Sequence, residues 1–401
     1  MKMKRIVIFI GLYAALALGV FAADFGISVT GESDTISQDE INTRTNIIPA
    51  PWVSAQFDKA DLYASAGLNI TIADKTIFTP ELFRLEFSAR PSSLLSFRLG
   101  RFNWQDASGL IARGRFDGLD VLFDLGKARL GVNALYTGFL YKDAEDININ
   151  INPTDNIKKY EGIFDWSDFA NTYFAPRRLL TSLYAEFPGF PPGRGTLYAG
   201  LTAQFDLSDA EEAFHTQYLL LRHVLIYYDF DFSAAGAAEL ENTKDNGVRS
   251  AFAFSLDGGY QLPFAVKNRL CLGLAWASGD GPYTAAFFPV TREAWSFVLQ
   301  PSLSGIMIIR ANYETRLLPS LTAKLAGSYF IRTDSTSFDM IHLGNTSYPL
   351  GLELATNVLW APFSDIAFSV KGGVFLPKTG TAWTDEAPVM WRITAGTIIS
   401  F

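Results

Sequence analysis

The side chains able to do chemistry in this 401-residue chain are mostly arginines and carboxylates spaced two residues apart, set between apolar neighbours. In Phe83-Arg84-Leu85-Glu86-Phe87-Ser88-Ala89-Arg90 the polar groups all fall on one phase of a period-two pattern. Read along the chain, that phase collects the cations Arg84, Arg90, Arg98, Arg129, Arg178, Arg222, Arg249, Arg269, Arg310, Arg316, Lys324, Arg332, Lys371 and Arg392. It collects the anions Glu86, Asp120, Asp124, Glu186, Asp206, Asp231, Glu239, Asp257, Glu314 and Glu353. If this phase lines a water-filled passage, its cation excess focuses a positive field there and favours anions. Taken singly, each arginine is better explained by a salt bridge to a neighbouring-strand carboxylate. Only the summed bias carries the anion preference, and it places the remaining acids in loops and turns.

Other chemistry finds little support. The histidines are His215, His223 and His342. Asp209, Glu211 and Glu212 precede the first and Asp339 the last, so an Asp/His couple at an outer rim is the strongest enzymatic reading. Ser278 in Ala277-Ser278-Gly279-Asp280 has no histidine in register and reads as turn chemistry. The expectation is therefore a protein that is not an enzyme and needs no cofactor. The lone Cys271 rules out an intramolecular disulfide, and without CxxC pairs or His/Cys clusters there is no metal site. A net charge of −8 argues against nucleic acid as a partner.

The elements that must hold these side chains are strands. The apolar/polar alternation recurs over 25–31, 50–58, 61–73, 81–90, 94–103, 115–124, 128–141, 177–187, 195–206, 214–226, 230–241, 248–262, 268–279, 303–316, 320–332, 349–361, 365–376 and 389–401. That makes about 18 strands, or 16 if the first strand and the split near Tyr228-Asp229 are misread. Most reach the length with which a tilted strand crosses a bilayer. The fold expected is all-β: a transmembrane, antiparallel, up-and-down β-barrel with an apolar outside and a polar lumen.

The connections supply an independent check. Tight links at 58–61, 90–93, 125–127, 317–320 and 361–364 alternate with longer ones at 32–49, 104–114, 142–176, 280–302, 333–348 and 377–388. A barrel with both ends in the periplasm has this asymmetry of short periplasmic turns and long extracellular loops. A soluble sandwich lacks it, and a propeller would show a blade-length repeat that is absent. The aromatic-rich connection 142–176 either folds into the mouth and narrows it or packs over the rim. Trp104, Trp276 and Trp295 are expected near the outer interface or in loops.

Residues 1–22 have the form of an export signal: Lys2, Lys4 and Arg5, an apolar run from Ile6 to Val20, then Val20-Phe21-Ala22. Cleavage after Ala22 would leave 23–401 as one barrel domain with a net charge of about −11. The run is too short to span a bilayer as an anchor helix.

Several stretches resemble the alginate-export family of bacterial outer-membrane porins. They are Leu99-Gly100-Arg101 with Gly114-Arg115-Phe116-Asp117-Gly118, then Ala277-Ser278-Gly279-Asp280, and Leu350-Gly351-Leu352-Glu353-Leu354 before Gly372-Gly373-Val374-Phe375-Leu376-Pro377. The resemblance implies an 18-stranded monomeric barrel, with Arg101, Arg113 and Arg115 beside a cationic part of an anion-selective conduit. What it lends here is architecture and passive transport rather than alginate. Trp391, Ile399 and the terminal Phe401 resemble the signal read by the barrel-assembly machinery.

The function expected is passive diffusion of small hydrophilic, preferentially anionic, solutes across an outer membrane, with membrane lipid and the assembly machinery as the other partners. The rival is a surface adhesin that displays its loops on a closed barrel. A fatty-acid-type barrel would need an apolar N-terminal hatch, whereas 23–49 is polar and acidic.

Overall fold

Period-two patterning gives eighteen antiparallel strands in a computed structural model: β1 (Ala23–Ser37), β2 (Ile41–Gln56), β3 (Ala60–Ile72), β4 (Thr76–Ala89), β5 (Leu95–Gln105), β6 (Arg113–Asp124), β7 (Arg129–Tyr136), β8 (Arg178–Phe190) and β9 (Gly195–Asp206), followed by β10 (His215–Tyr227), β11 (Phe230–Thr243), β12 (Gly247–Leu262), β13 (Lys267–Ala277), β14 (Ile306–Leu318), β15 (Leu321–Arg332), β16 (Pro349–Trp360), β17 (Ile366–Pro377) and β18 (Met390–Ser400). The residues described are 23–38, 40–142, 164–190, 195–207, 213–243, 247–264, 266–281, 284–334, 348–378, 381–384 and 387–401. The export-signal expectation for 1–22, much of 142–176, and His342 with its Asp339 lie outside them.

Each strand pairs with its neighbours in sequence, and β1 pairs with β18 from Ser28↔Ser400 to Ser37↔Trp391, which closes the sheet. Closure matters because hydrocarbon offers no partner for an unpaired N–H or C=O. The terminal residue joins in: the Phe401 N–H donates to the Ile27 carbonyl at 2.9 Å, and the Ile27 N–H donates to the Phe401 carbonyl at 3.1 Å. Trp391, Ile399 and Phe401 share the odd phase of β18 with the exposed Ile393, on the outer face. That face also carries the exposed Leu183, Leu201, Leu221, Leu272, Leu325 and Val370. No helix among the described residues is long and apolar enough to cross a membrane.

Several boundaries differ from the sequence expectation, among them the start of the fourth strand, which is Thr76 instead of 81. The stretch 32–49 is not a long loop: β1 and β2 run to Ser37 and from Ile41, with Thr35 and Thr43 hydroxyls 3.1 Å apart across the hairpin. Its low hydrophobicity hid strands whose inward phase carries Glu32, Asp34, Arg44 and Asn46. The seventh strand stops at Tyr136 instead of 141, because the chain turns at Thr137, whose carbonyl takes the Leu140 N–H. Residues 303–305 leave the fourteenth strand and belong to a connection that enters the barrel, with Gly305 at φ +60°.

Two seams are interrupted: the β2–β3 ladder lapses between Ile47↔Ile70 and Trp52↔Ser65, and the β4–β5 ladder is missing at its outer end. The β4–β5 ladder runs only from Leu85↔Arg101 to Ala89↔Phe97, although β4 continues outward to Thr76 and β5 to Gln105. At its upper end Gly100 adopts φ +110°, where a Cβ would lie 2.0 Å from the Leu85 carbonyl oxygen. Glycine alone tolerates that approach, and it lets β5 turn away from β4.

Candidate pore and its constriction

Except for Arg90, the cations and anions assigned to the lumen sit on the inward phases of their strands. Most are neutralised there. Arg98 bonds Asp120 at 2.7 Å, Arg84 bonds Glu86 at 2.7 Å and Arg310 bonds Asp257 at 2.7 Å. Arg269 pairs with Asp231, Arg249 with Asp280, and Arg178 lies 4.0 Å from Asp206. Arg129 reaches Asp124 at 3.4 Å and Glu186 at 3.5 Å, and Arg392 reaches Asp34 at 2.6 Å. Glycines make room for two of these pairs: a Cβ at Gly259 would meet Arg269 and Asp231, and one at Gly273 would meet Asp257 and Arg310. Arg332 is buried at the upper end of β15, and Arg90 lies in the turn after β4.

The cation excess shrinks in the structure. Glu32, Asp34, Glu81 and Glu241 also lie on inward phases, against one further cation, Arg44. The acids expected in loops and turns are therefore partly in the wall. Four inward cations meet no carboxylate among the described residues. Arg222 donates to the Ser233 hydroxyl at 3.3 Å and Arg316 to the Pro319 carbonyl, while Lys324 and Lys371 line β15 and β17. Lys324 and Arg316 are exposed to the lumen, and so is Glu314, which faces Lys324 across the strand pair.

Two of the arginines drawn from the family resemblance carry no free charge. Arg101 is 5% exposed and donates twice to Asp117, at 2.7 Å each, and once each to the Leu82 and Phe139 carbonyls. Arg115 is buried against Glu81 at 2.6 Å. Both stand on the phase of β5 and β6 opposite to Arg98 and Asp120, so they knit the wall instead of lining the conduit. Arg113 is exposed, bridged to Glu293 at 2.8 Å.

The constriction comes from a segment that its sequence predicts to be an ordinary outer loop. Residues 278–281 and 284–305 fold into the barrel, with Phe287, Phe288, Val290, Val298, Leu299 and Leu303 fully buried. They pack on small inward side chains of the wall: Ala237, Ala253 and Ala277 are cross-strand neighbours at one height on β11, β12 and β13. The tip of the β5–β6 hairpin meets them, since Thr291 donates its N–H to the Ile111 carbonyl at 3.0 Å and accepts the Arg113 N–H at 2.8 Å. Trp104 is not at the interface: it is buried on β5, edge-on to Phe116. Trp295 lies under Arg310, 4.7 Å from ring to guanidinium, and only Trp276 remains on the outer face, stacked with Phe254.

Two buried carboxylates hold this segment by its backbone. Glu353, 2% exposed, accepts the N–H groups of Phe297 at 2.7 Å and Leu299 at 3.0 Å. Glu239, 1% exposed, accepts the Phe288 N–H at 2.9 Å, and beside it the Tyr218 hydroxyl donates to the Phe288 carbonyl at 2.6 Å. Arg392 adds a bond to the Phe297 carbonyl at 3.2 Å.

Residues 164–174 form an aromatic cluster, with Phe169 stacked on Tyr173 at 4.7 Å and Phe164 edge-on to Tyr141. Asp165 caps its first turn by accepting the Ser167 N–H at 2.8 Å, which holds its carboxyl below the usual range. Burial raises the Tyr173 hydroxyl above its ordinary value, with Glu81 adding to the effect. His215 Nδ1 accepts the Asp206 N–H at 3.2 Å, and Cys271 is half-buried on the inward phase of β13. No metal-ligating cluster occurs among the described residues.

No protein-family model matches the sequence, and no curated protein matches it. Its fold is similar to those of solved outer-membrane proteins from Pseudomonas aeruginosa. OpdQ aligns with a TM-score of 0.63 at 12% identity, over 95% of this chain and 99% of that one. OccK7 (OpdD) aligns with a TM-score of 0.61 at 11% identity, over 94% and 98%. OccK2 (OpdF) in complex with glucuronate aligns with a TM-score of 0.59 at 11% identity, over 94% and 98%. At such identities the likeness is one of fold.

Proposed function

We propose that this chain is an outer-membrane porin for passive diffusion of small hydrophilic solutes, with a preference for anions. The observation that carries this reading is a closed barrel, apolar outside, whose polar inner wall keeps Arg222, Arg316, Lys324 and Lys371 without carboxylate partners among the described residues. The paired residues contribute little net field, so the preference rests on these four. The anion set is smaller and more local than the summed arginines of the sequence suggest. A neighbour by fold crystallised with glucuronate supports a small organic anion as solute.

Transport of this kind needs no bond chemistry. A concentration gradient drives the flux, the inward segment 278–305 sets the size limit, and the wall charges bias the sign. Non-enzymatic action, a single barrel after cleavage at Ala22, assembly through the Phe401 signal and a monomeric state belong to the same proposal. So does descent from the alginate-export group, which rests on the motifs at 99–101, 114–118 and 350–377. The test is purified barrel in a planar bilayer under a salt gradient. Stable steps with an anion-biased reversal potential are expected. A silent barrel would favour the loop-displaying adhesin instead.

A further inference from the structure

We propose that the split between β4 and β5 is a lateral port through which small apolar solutes pass between the lumen and the membrane, with residues 164–174 as its door and Arg101 as its latch. Outward of Leu85, β4 has lost β5 as a partner. Its open edge is met by side chains instead: the Trp166 indole donates to the Phe78 carbonyl at 3.1 Å and Arg101 donates to the Leu82 carbonyl at 2.8 Å. Between these two carbonyls, on the same edge by strand alternation, stands Pro80, which has no N–H to leave unpaired. The sequence of β4 is therefore built for an edge at its outer end, where β4 and β5 both continue without pairing each other.

Parting any other pair of strands breaks a run of backbone N–H···O bonds in a medium that cannot replace them. Parting this one outward of Leu85 breaks no strand-to-strand ladder, because the bonds to the β4 edge there come from the Trp166 and Arg101 side chains. The rings of 164–174 contact one another, and Ile77 of β4 packs against the cluster of Tyr141, Phe164 and Tyr173. The ion pairs Arg101–Asp117 and Arg115–Glu81 lie beside the seam, and the rings of Phe78, Phe139, Trp166 and Phe174 are exposed. A solute with an apolar body would meet both aromatic faces and neutralised ion pairs along such a passage.

Arg101 joins β6, β4 and the β7–β8 connection at one guanidinium, so Arg101→Gln should loosen the door. A Phe78→Cys/Trp166→Cys pair, in a Cys271→Ser background and bridged by a bis-methanethiosulfonate, should lock it. The readout is uptake of N-phenylnaphthylamine into the outer membrane of a Gram-negative host expressing each folded barrel, with single-channel conductance measured on the same variants. The expected result is several-fold faster uptake for Arg101→Gln than for wild type, uptake at the barrel-free rate for the bridged pair, recovery with dithiothreitol, and conductance within error throughout. Uptake that neither the bridge nor Arg101→Gln changes would show a fixed seal and overturn the port. Uptake and conductance falling together on bridging would show an axial route and overturn it equally.

Discussion

Replacing Glu353 with alanine should turn a steady pore into a flickering one. In the folded protein the carboxylate satisfies the buried N–H groups of Phe297 and Leu299. Without it, two buried donors lose their acceptor at about 1–3 kcal/mol each, so the 296–300 stretch is destabilised by roughly 2–6 kcal/mol. Burial of Val298 and Leu299 opposes release with about 1.5–3 kcal/mol per side chain. The stretch stays docked most of the time, but at about 1.4 kcal/mol per decade its undocked population rises roughly 30-fold to more than 10,000-fold. Single-channel recording should show brief upward conductance steps that wild type lacks. Glu353→Gln, which keeps one acceptor, should show fewer. If a folded Glu353→Ala barrel matches wild type in both conductance and noise, the carboxylate does not hold the constriction.

Other perturbations separate structural charges from working ones. Neutralising a whole pair, Arg269→Gln with Asp231→Asn, should leave the reversal potential where it was, because the pair adds little net field. Gly100→Ala places a Cβ against the Leu85 carbonyl oxygen at a φ of +110°. It should lower barrel stability by about 1–3 kcal/mol, read from urea-dependent loss of the heat-modifiable gel band. The raised Tyr173 hydroxyl makes a prediction about alkaline pH. Its folded-state value lies above its unfolded value, so its contribution is present below the ordinary tyrosine range and is lost as pH rises through the folded value. Absorbance titration of wild type against Tyr173→Phe should show this ring ionising after the exposed tyrosines.

The alternation that gave the strand count was legible because every wall residue must choose lipid or lumen, and Leu183 or Leu201 cannot face water in numbers. The same logic hid two features. Strand residues beyond the lipid belt need no apolar phase, so β1 and β2 over 32–49 looked like a polar loop. An inward segment also reads as a loop until one asks why alanines occupy the lumen phase at 237, 253 and 277. Those small residues, with the apolar run Ala285-Ala286-Phe287-Phe288, were the available signal for the constriction. The assignment of side chains to the lumen was legible from parity alone. Which of them keep their charge was not, because Arg101 or Arg269 finds its partner only through register between strands. Glu81 escaped because an irregularity between Leu82 and Arg84 switches the phase of β4.

The most direct test of the account compares wild type with the variant Arg222→Gln/Lys324→Gln/Lys371→Gln in planar bilayers under a potassium chloride gradient. Wild type should reverse on the anion side, and the variant should move towards the cation side with its conducting steps intact. An unchanged reversal potential, or a folded wild-type barrel that never conducts, would contradict the claim that these unpaired wall cations select what passes through an open pore.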